Sequence, residues 1–200
     1  MSPVLPNSGS WGIMGGVFDP IHCGHLLLAE SALNACGFTG VLFVPSFNPP
    51  HRERKPEVCF EDRFRMVQLA IEGNERFSAS DFEKDLKSPG YTLAVVDFLK
   101  LKSPEVKWHL ILGADNIAQF DHWHHPEELV KRIKIVVGNR PGYDREFHNS
   151  RWASQVELFE MPLIDLSSTR IRKLLKEGLS ARYFVPDEVR RFIENKRLYQ

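Results

Sequence analysis

Short apolar runs alternate with helix-period segments along the whole chain, and this alternation restricts the fold more than any other feature. Residues 11–14, 41–44, 77–80, 109–112, 133–137 and 156–159 are too short for buried helices and read as strands, the second ended by Pro45. Between them, residues 26–33 read as a helix. Phe60, Phe64, Val67, Ala70 and Ile71 recur at helical spacing and close near Gly73. Residues 92–101 form another, burying Leu93, Val96 and Leu99, and residues 168–176 and 186–195 end the chain as two more. Strands separated by helices must pair in parallel through right-handed crossovers. The expected class is therefore α/β, with a mostly parallel sheet and helices on both faces. In such sheets ligands bind beyond the carboxyl ends of the strands. The turn at Gly15-Gly16, the proline-rich basic loop 48–56 and the turn Gly113-Ala114-Asp115 all fall at that rim.

Charge excludes one class of partner. Lys plus Arg and Asp plus Glu number 26 each, so no global basic field favours a nucleic-acid polymer, and any phosphate site must be built locally. No apolar run approaches the roughly 20 residues of a membrane span. The first residues lack the basic start and apolar core of a secretory signal, so a cytoplasmic protein with no membrane partner is expected. Cys23, Cys36 and Cys59 are an odd, widely spaced set, read as reduced thiols.

The stretch Gly15-Gly16-Val17-Phe18-Asp19-Pro20-Ile21-His22-Cys23-Gly24-His25 carries the chemistry. A strand, a paired-glycine turn and a helix N-terminus expose backbone N–H groups to an anion, with no Cβ in the way. His22 and His25, on the first helical turn, project to one side and can donate to the same phosphate. His-x-x-His with one cysteine is incomplete as a zinc site, so no protein metal site is expected. Far along the chain, Leu166-Ser167-Ser168-Thr169-Arg170-Ile171-Arg172 sets hydroxyls at a helix start with two arginines behind them. An N-cap would account for the hydroxyls but not for both arginines. Asp115 could cap a following helix. Trp123 lies among His122, His124 and His125, which argue for a wet loop and not a core.

These motifs, in this order, resemble the (H/T)-x-G-H nucleotidyltransferase superfamily, and more closely the bacterial nicotinate-nucleotide adenylyltransferases. The family's opening is G-G-(S/T)-F-D-P-x-H-x-G-H. Its (I/L)-S-S-T-x-I-R, G-x-D-x(7)-W, Tyr-Thr, R-P-G-Y and P-P-H-(K/R) motifs match residues 166–172, 113–123, 91–92, 140–143 and 49–52. The resemblance implies a Rossmann-like nucleotidyltransferase fold, with residues 11–200 as one adenylyltransferase domain and 1–10 as a flexible extension outside the family pattern. It implies that His22 and His25 are catalytic. ATP would be bound by Gly15, Gly16, Val17, Phe18, Arg140, Ser168, Thr169 and Arg172. The mononucleotide would be bound by Arg52, Tyr91, Thr92, Gly113, Asp115 and Trp123, the aspartate on a ribose and the tryptophan ring on the pyridine base. Val17 stands where the family has Ser or Thr, so a hydroxyl contact is lost there while the backbone amides remain.

The activity so implied is transfer of the adenylyl group of ATP to nicotinate mononucleotide, giving deamido-NAD and pyrophosphate, with Mg²⁺ accompanying ATP. Homo-oligomer formation is compatible with the sequence. No acidic residue lies in residues 89–93 to receive an amide NH₂, which favours the carboxylate of nicotinate over nicotinamide. Two rivals share the features at Gly15 and Ser168: an adenylyl- or cytidylyltransferase for another phosphorylated acceptor, and a nucleotide sensor without catalysis. A dehydrogenase is disfavoured, because no G-x-G-x-x-G with an acidic residue ~20 positions on is present.

Overall fold

The computed structural model describes residues 5–49, 55–86, 90–139 and 144–200. Six strands form one parallel sheet in the order β3-β2-β1-β4-β5-β6. They are β1 (Ser10–Gly16), β2 (Gly40–Pro45), β3 (Phe77–Ala79), β4 (Lys107–Gly113), β5 (Lys134–Gly138) and β6 (Glu157–Phe159). Each coincides with an expected run. The 3-2-1-4-5-6 order is that of doubly wound nucleotide-binding sheets.

Apolar residues alternate between two cores along the inner strands, as a period of two requires of a sheet covered on both faces. Val41, Phe43, Ile111 and Val136 point to one core. Leu42, Val44, Leu110, Leu112, Ile135 and Val137 point to the other. The first is roofed by α1 (Cys23–Ala35), α2 (Phe60–Ile71), α7 (Ser168–Lys176) and α8 (Asp187–Lys196). The second is roofed by α3 (Thr92–Lys102), α4 (Ala114–Ala118), α5 (Pro126–Arg132) and α6 (Asp144–Asn149).

Local signals end the helices where the pattern says. After α1, Gly37 takes the left-handed conformation (φ 63°) and Phe38 N donates to Leu33 O at 3.0 Å, which closes a Schellman turn. Glu61 and Asp62 sit in the first turn of α2, where the helix dipole favours negative charge. Two details differ from expectation. In α3 the buried face is Val95, Val96 and Leu99, with Leu93 half-buried. The final helix runs from Asp187 with Pro186 as its N-cap, one residue later than the apolar spacing suggests. Helices α4 and α5 are only 5 and 7 residues long, too short to show a helical period in the sequence. β1 starts at Ser10, and Lys107 N donates to Gly9 O at 2.9 Å, so pairing with β4 begins inside the segment assigned to the extension.

Candidate active site

Because β1 lies between β2 and β4, the sheet leaves a crevice at its switch point, beyond the carboxyl ends of these strands. Two recesses open there. One, of about 390 Å³, is walled by Ser46, Glu83, Gly90, Tyr91, Thr92 and His124. The other, of about 290 Å³, is walled by Phe18, His22, His25, Asn139, Ser168 and Thr169. Gly15, Gly16, Val17, Asp115, Asn116 and Trp123 line both and form the partition between them.

The phosphate-type recess is built on the link from β1 to α1. A Cβ placed on Gly15 would meet nothing within 4 Å, so the absent side chain leaves its space to whatever fills the recess. Phe18 is left-handed (φ 51°), an uncommon state for a bulky residue that persists only where surroundings hold it. Its ring is buried, edge-on to His25 at 5.0 Å and tilted on Phe43 at 6.0 Å. His22 is the extended N-cap of α1. Its N–H donates to His25 Nδ1 at 3.2 Å, and the two rings stack at 3.7 Å. A ring nitrogen that accepts from the backbone leaves the proton of the neutral imidazole on Nε2, where it serves as a donor. The structure thus brings the paired histidines together on one side, as their spacing predicts.

Across the recess, Ser167 is the N-cap of α7, its hydroxyl accepting from Arg170 N at 3.3 Å. Capping therefore accounts for the first serine, while Ser168 and Thr169 face the recess. Ser168 Oγ donates to Pro20 O at 2.9 Å, tying α7 to the histidine-bearing link. Arg172 also turns to that link. It donates to Asp19 O at 2.8 Å and to Glu57 Oε1 at 3.1 Å, and its Nη2 reaches Thr169 Oγ1 at 3.3 Å. Lys176 adds a second cation to Glu57 at 2.8 Å. The hydrogen bond from Lys176 holds the Glu57 carboxyl below the usual carboxylate range; burial opposes it, and Arg172 adds a smaller pull in the same direction as Lys176.

The second recess is walled by rings and a carboxylate. Tyr91 is the N-cap of α3, and Thr92 its first residue. The Tyr91 ring stacks on His124 at 3.9 Å, so this histidine, exposed as the solvated cluster of the sequence suggests, also borders the recess. Trp123, half-buried, tilts against Phe120 at 5.1 Å and borders both recesses. Gly113 is the N-cap of α4, and Asp115 sits in that helix's first turn, so its carboxylate is not the cap residue.

Glu83 adds to this recess an acid that residues 89–93 do not supply. It comes from a single 3-10 turn (Phe82–Asp85), outside the 89–93 stretch, and is 5% exposed. Its Oε1 accepts from Phe47 N at 2.8 Å and Ser46 Oγ at 2.9 Å. Burial raises its carboxyl, with the two hydrogen bonds and Arg63 opposing. A Cβ on Gly90 would lie 2.3 Å from Oε1, so only glycine lets α3 start this close. Arg63, 1% exposed on α2, is another residue the sequence does not announce. It donates to Val17 O at 2.6 Å and Val58 O at 3.3 Å. Burial lowers the Arg63 guanidinium, against the opposing field of Asp19. Arg52 and Arg140 lie outside the described residues.

Residues 13–174 match the family model described as cytidylyltransferase-like. A nicotinate-nucleotide adenylyltransferase of Rubrobacter xylanophilus is 41% identical over 195 residues, covering 94% of this chain and 91% of the relative. One of Geobacillus kaustophilus is 37% identical over 191 residues, covering 96% and 86%. Among solved structures, the nicotinic acid mononucleotide adenylyltransferase of Plasmodium falciparum complexed with NaAD aligns with TM-score 0.75 at 20% identity, over 95% of this chain and 97% of that one. The same enzyme complexed with APC aligns with TM-score 0.76 at 18% identity, over 96% and 97%. At that identity the structures bear on the fold alone.

Proposed function

This chain belongs to the nicotinate-nucleotide adenylyltransferases, within the cytidylyltransferase-like family, and from that premise we infer how its two recesses share the work. The chain transfers the adenylyl group of ATP to nicotinate mononucleotide. A 5′-phosphate oxygen of the mononucleotide attacks the α-phosphorus in line. The bond from that phosphorus to the oxygen bridging to the β-phosphorus breaks, and pyrophosphate leaves with its electron pair. No protein nucleophile is needed, so the protein's task is orientation and charge stabilisation.

One observation carries the assignment of the halves. The stacked His22–His25 pair and the residues Ser168 and Thr169 line one recess, at the N-termini of α1 and α7. Helix N-termini and neutral donors suit a polyphosphate. ATP is therefore read into this recess, with His22 and His25 donating to the oxygens where charge grows. Gly15, Gly16, Val17 and Phe18 supply the main chain of the cradle, and Gly113, which the family motif gives to the mononucleotide, lines this recess and not the other. Arg172 supports the same half from behind, through Asp19. The mononucleotide is read into the recess of Tyr91, Thr92 and Trp123, with its ring between aromatic faces and its carboxylate near the start of α3. Asp115, on the partition, is placed to accept from ribose hydroxyls. Arg52 and Arg140 keep the roles that the family motifs suggest. Mg²⁺ would travel with ATP, held by phosphate oxygens and water, and would neutralise phosphate charge. Asp115 is the single carboxylate among the described residues that line the phosphate recess, a donor set that fits an ion carried by the phosphates and not by a protein cage.

Pyrophosphate release from Mg-ATP is the direct test, with nicotinate mononucleotide, nicotinamide mononucleotide and phosphopantetheine supplied in turn. Rapid release with the first is expected. Release only with phosphopantetheine would move the chain to the rival acceptor, and binding of ATP without release under any acceptor would make it a sensor.

A further inference from the structure

Asp19 lies three residues before His22 and is 2% exposed, yet it lines neither recess. Both carboxylate oxygens are used. Tyr199 OH donates to Oδ1 at 2.8 Å, from 180 residues away, and Glu57 N donates to Oδ2 at 2.9 Å. The link around Asp19 is fastened at several further points. Arg172 bonds to its backbone carbonyl, Ser168 to that of Pro20, Arg63 to that of Val17, and Cys23 N donates to Phe184 O at 2.9 Å. Most of these fasteners come from residues after 166, so the last part of the described chain grips the link that carries the histidines.

Tyr199 is an unusual member of that grip. It follows α8 in a left-handed conformation (φ 64°) and is 6% exposed within the first core. A bulky residue is held in that state only when its surroundings over-determine it. Arg63 and Arg172 face the phenol and Asp19, so the carboxylate has charge balance as well as donors. Burial first, then Asp19, push the phenol well above its ordinary range, which keeps it a donor.

We propose that Tyr199 is a positioning residue for the adenylyl transfer, its hydroxyl holding the His22–His25 pair in place through the Asp19 carboxylate. This rests on the reading of those histidines as donors to the α-phosphate. Only Pro20 and Ile21 separate Asp19 from His22. Without the phenol, a buried carboxylate oxygen loses its donor, and the link must move to satisfy it. A displacement below 1 Å is enough to misplace a donor in the transition state.

The test compares Tyr199→Phe, which keeps the ring and loses only the hydroxyl, with Ile193→Val on α8, which loosens the same core without touching Asp19. Steady-state rates with ATP and nicotinate mononucleotide are read per folded molecule, with melting curves alongside. Tyr199→Phe is expected to lower kcat by about 10-fold with both KM values within about 2-fold, while Ile193→Val keeps kcat. In an Asp19→Ala background, which removes the acceptor, Tyr199→Phe is expected to cost much less, since the two act through one bond. An unchanged kcat in Tyr199→Phe, an equal fall in Ile193→Val, or a Tyr199→Phe chain that does not fold would each overturn the proposal and leave a structural tie. An inactive wild-type chain would instead defeat the transferase reading.

Discussion

The two recesses share a partition but are built by different means. On the ATP side, hydrogen bonds from α2, α7 and the segment beyond α8 fasten the link from β1 to α1 at successive backbone and side-chain groups. On the acceptor side, the walls are rings and one buried carboxylate, brought by short elements: the 3-10 turn of Glu83, the N-cap Tyr91, and Trp123 with its neighbour His124. A pinned main chain suits charge that develops in one fixed place. A wall of rings suits recognition of a flat heterocycle. On the reading proposed above, rate falls to one half and selectivity to the other, and each variant below can break that division.

The largest effect is expected at His25. His25→Ala should lower kcat roughly 10²- to 10³-fold while ATP binding by calorimetry changes little, because its donor faces charge that appears mainly in the transition state. A normal kcat with a raised KM for ATP would make the histidine a ground-state contact. Arg172→Ala comes next. Its guanidinium makes charge-assisted bonds to Asp19 and Glu57, so ATP use should fall about 30-fold with mononucleotide binding nearly unchanged. Weakened mononucleotide binding with intact ATP affinity would reverse the two halves.

Selectivity sharpens the acceptor side. Nicotinate mononucleotide should be preferred over the amide by at least ~10-fold in kcat/KM, about 1.4 kcal/mol. Glu83 puts that expectation under strain, since a carboxylate in the recess opposes the nicotinate carboxylate unless Ser46 and Phe47 absorb it. Glu83→Gln preserves an acceptor for both donors, so its acceptor KM should stay within about 2-fold, whereas Glu83→Ala should raise that KM several-fold without moving the KM for ATP. Equal kcat/KM values for the two mononucleotides would sink the carboxylate-site argument.

The smallest effect is at Glu57. Its lowered carboxyl contributes stability that is present above the unfolded value near 4.3 and lost as pH falls through the lower folded value. The side chain is 37% exposed, so solvent screens the pair, and Glu57→Gln should lower the neutral-pH Tm by only about 1–2 °C. That deficit should vanish at acid pH. A deficit that grows on acidification would mean Glu57 acts through something other than its cations.

Legibility follows the same division. Strands and the long helices could be read because apolar residues recur at fixed periods, and the histidine pair could be read because its partners are three residues apart. The pairing of Tyr199 with Asp19 could not, since nothing local marks two residues that meet only after the whole sheet has formed. Glu83 was hidden for a similar reason: it reaches the recess of Tyr91 from a turn with no period of its own. Trp123 borders both recesses, and its half-buried contact with Phe120 shows that wet loop and core are not exclusive. Arg63 reads as one more charge on an amphipathic helix until the fold buries it against Val17.

The partition has a consequence for the fate of the product. Asp115, Trp123 and the glycine pair border both recesses, so the two spaces adjoin across the same few residues. Once the halves are joined, the dinucleotide is a bivalent ligand, and each end is held at high effective concentration by the other. It leaves only when both ends let go together. On this geometry the joining step is followed by a slower departure, and excess dinucleotide should compete against both substrates at once.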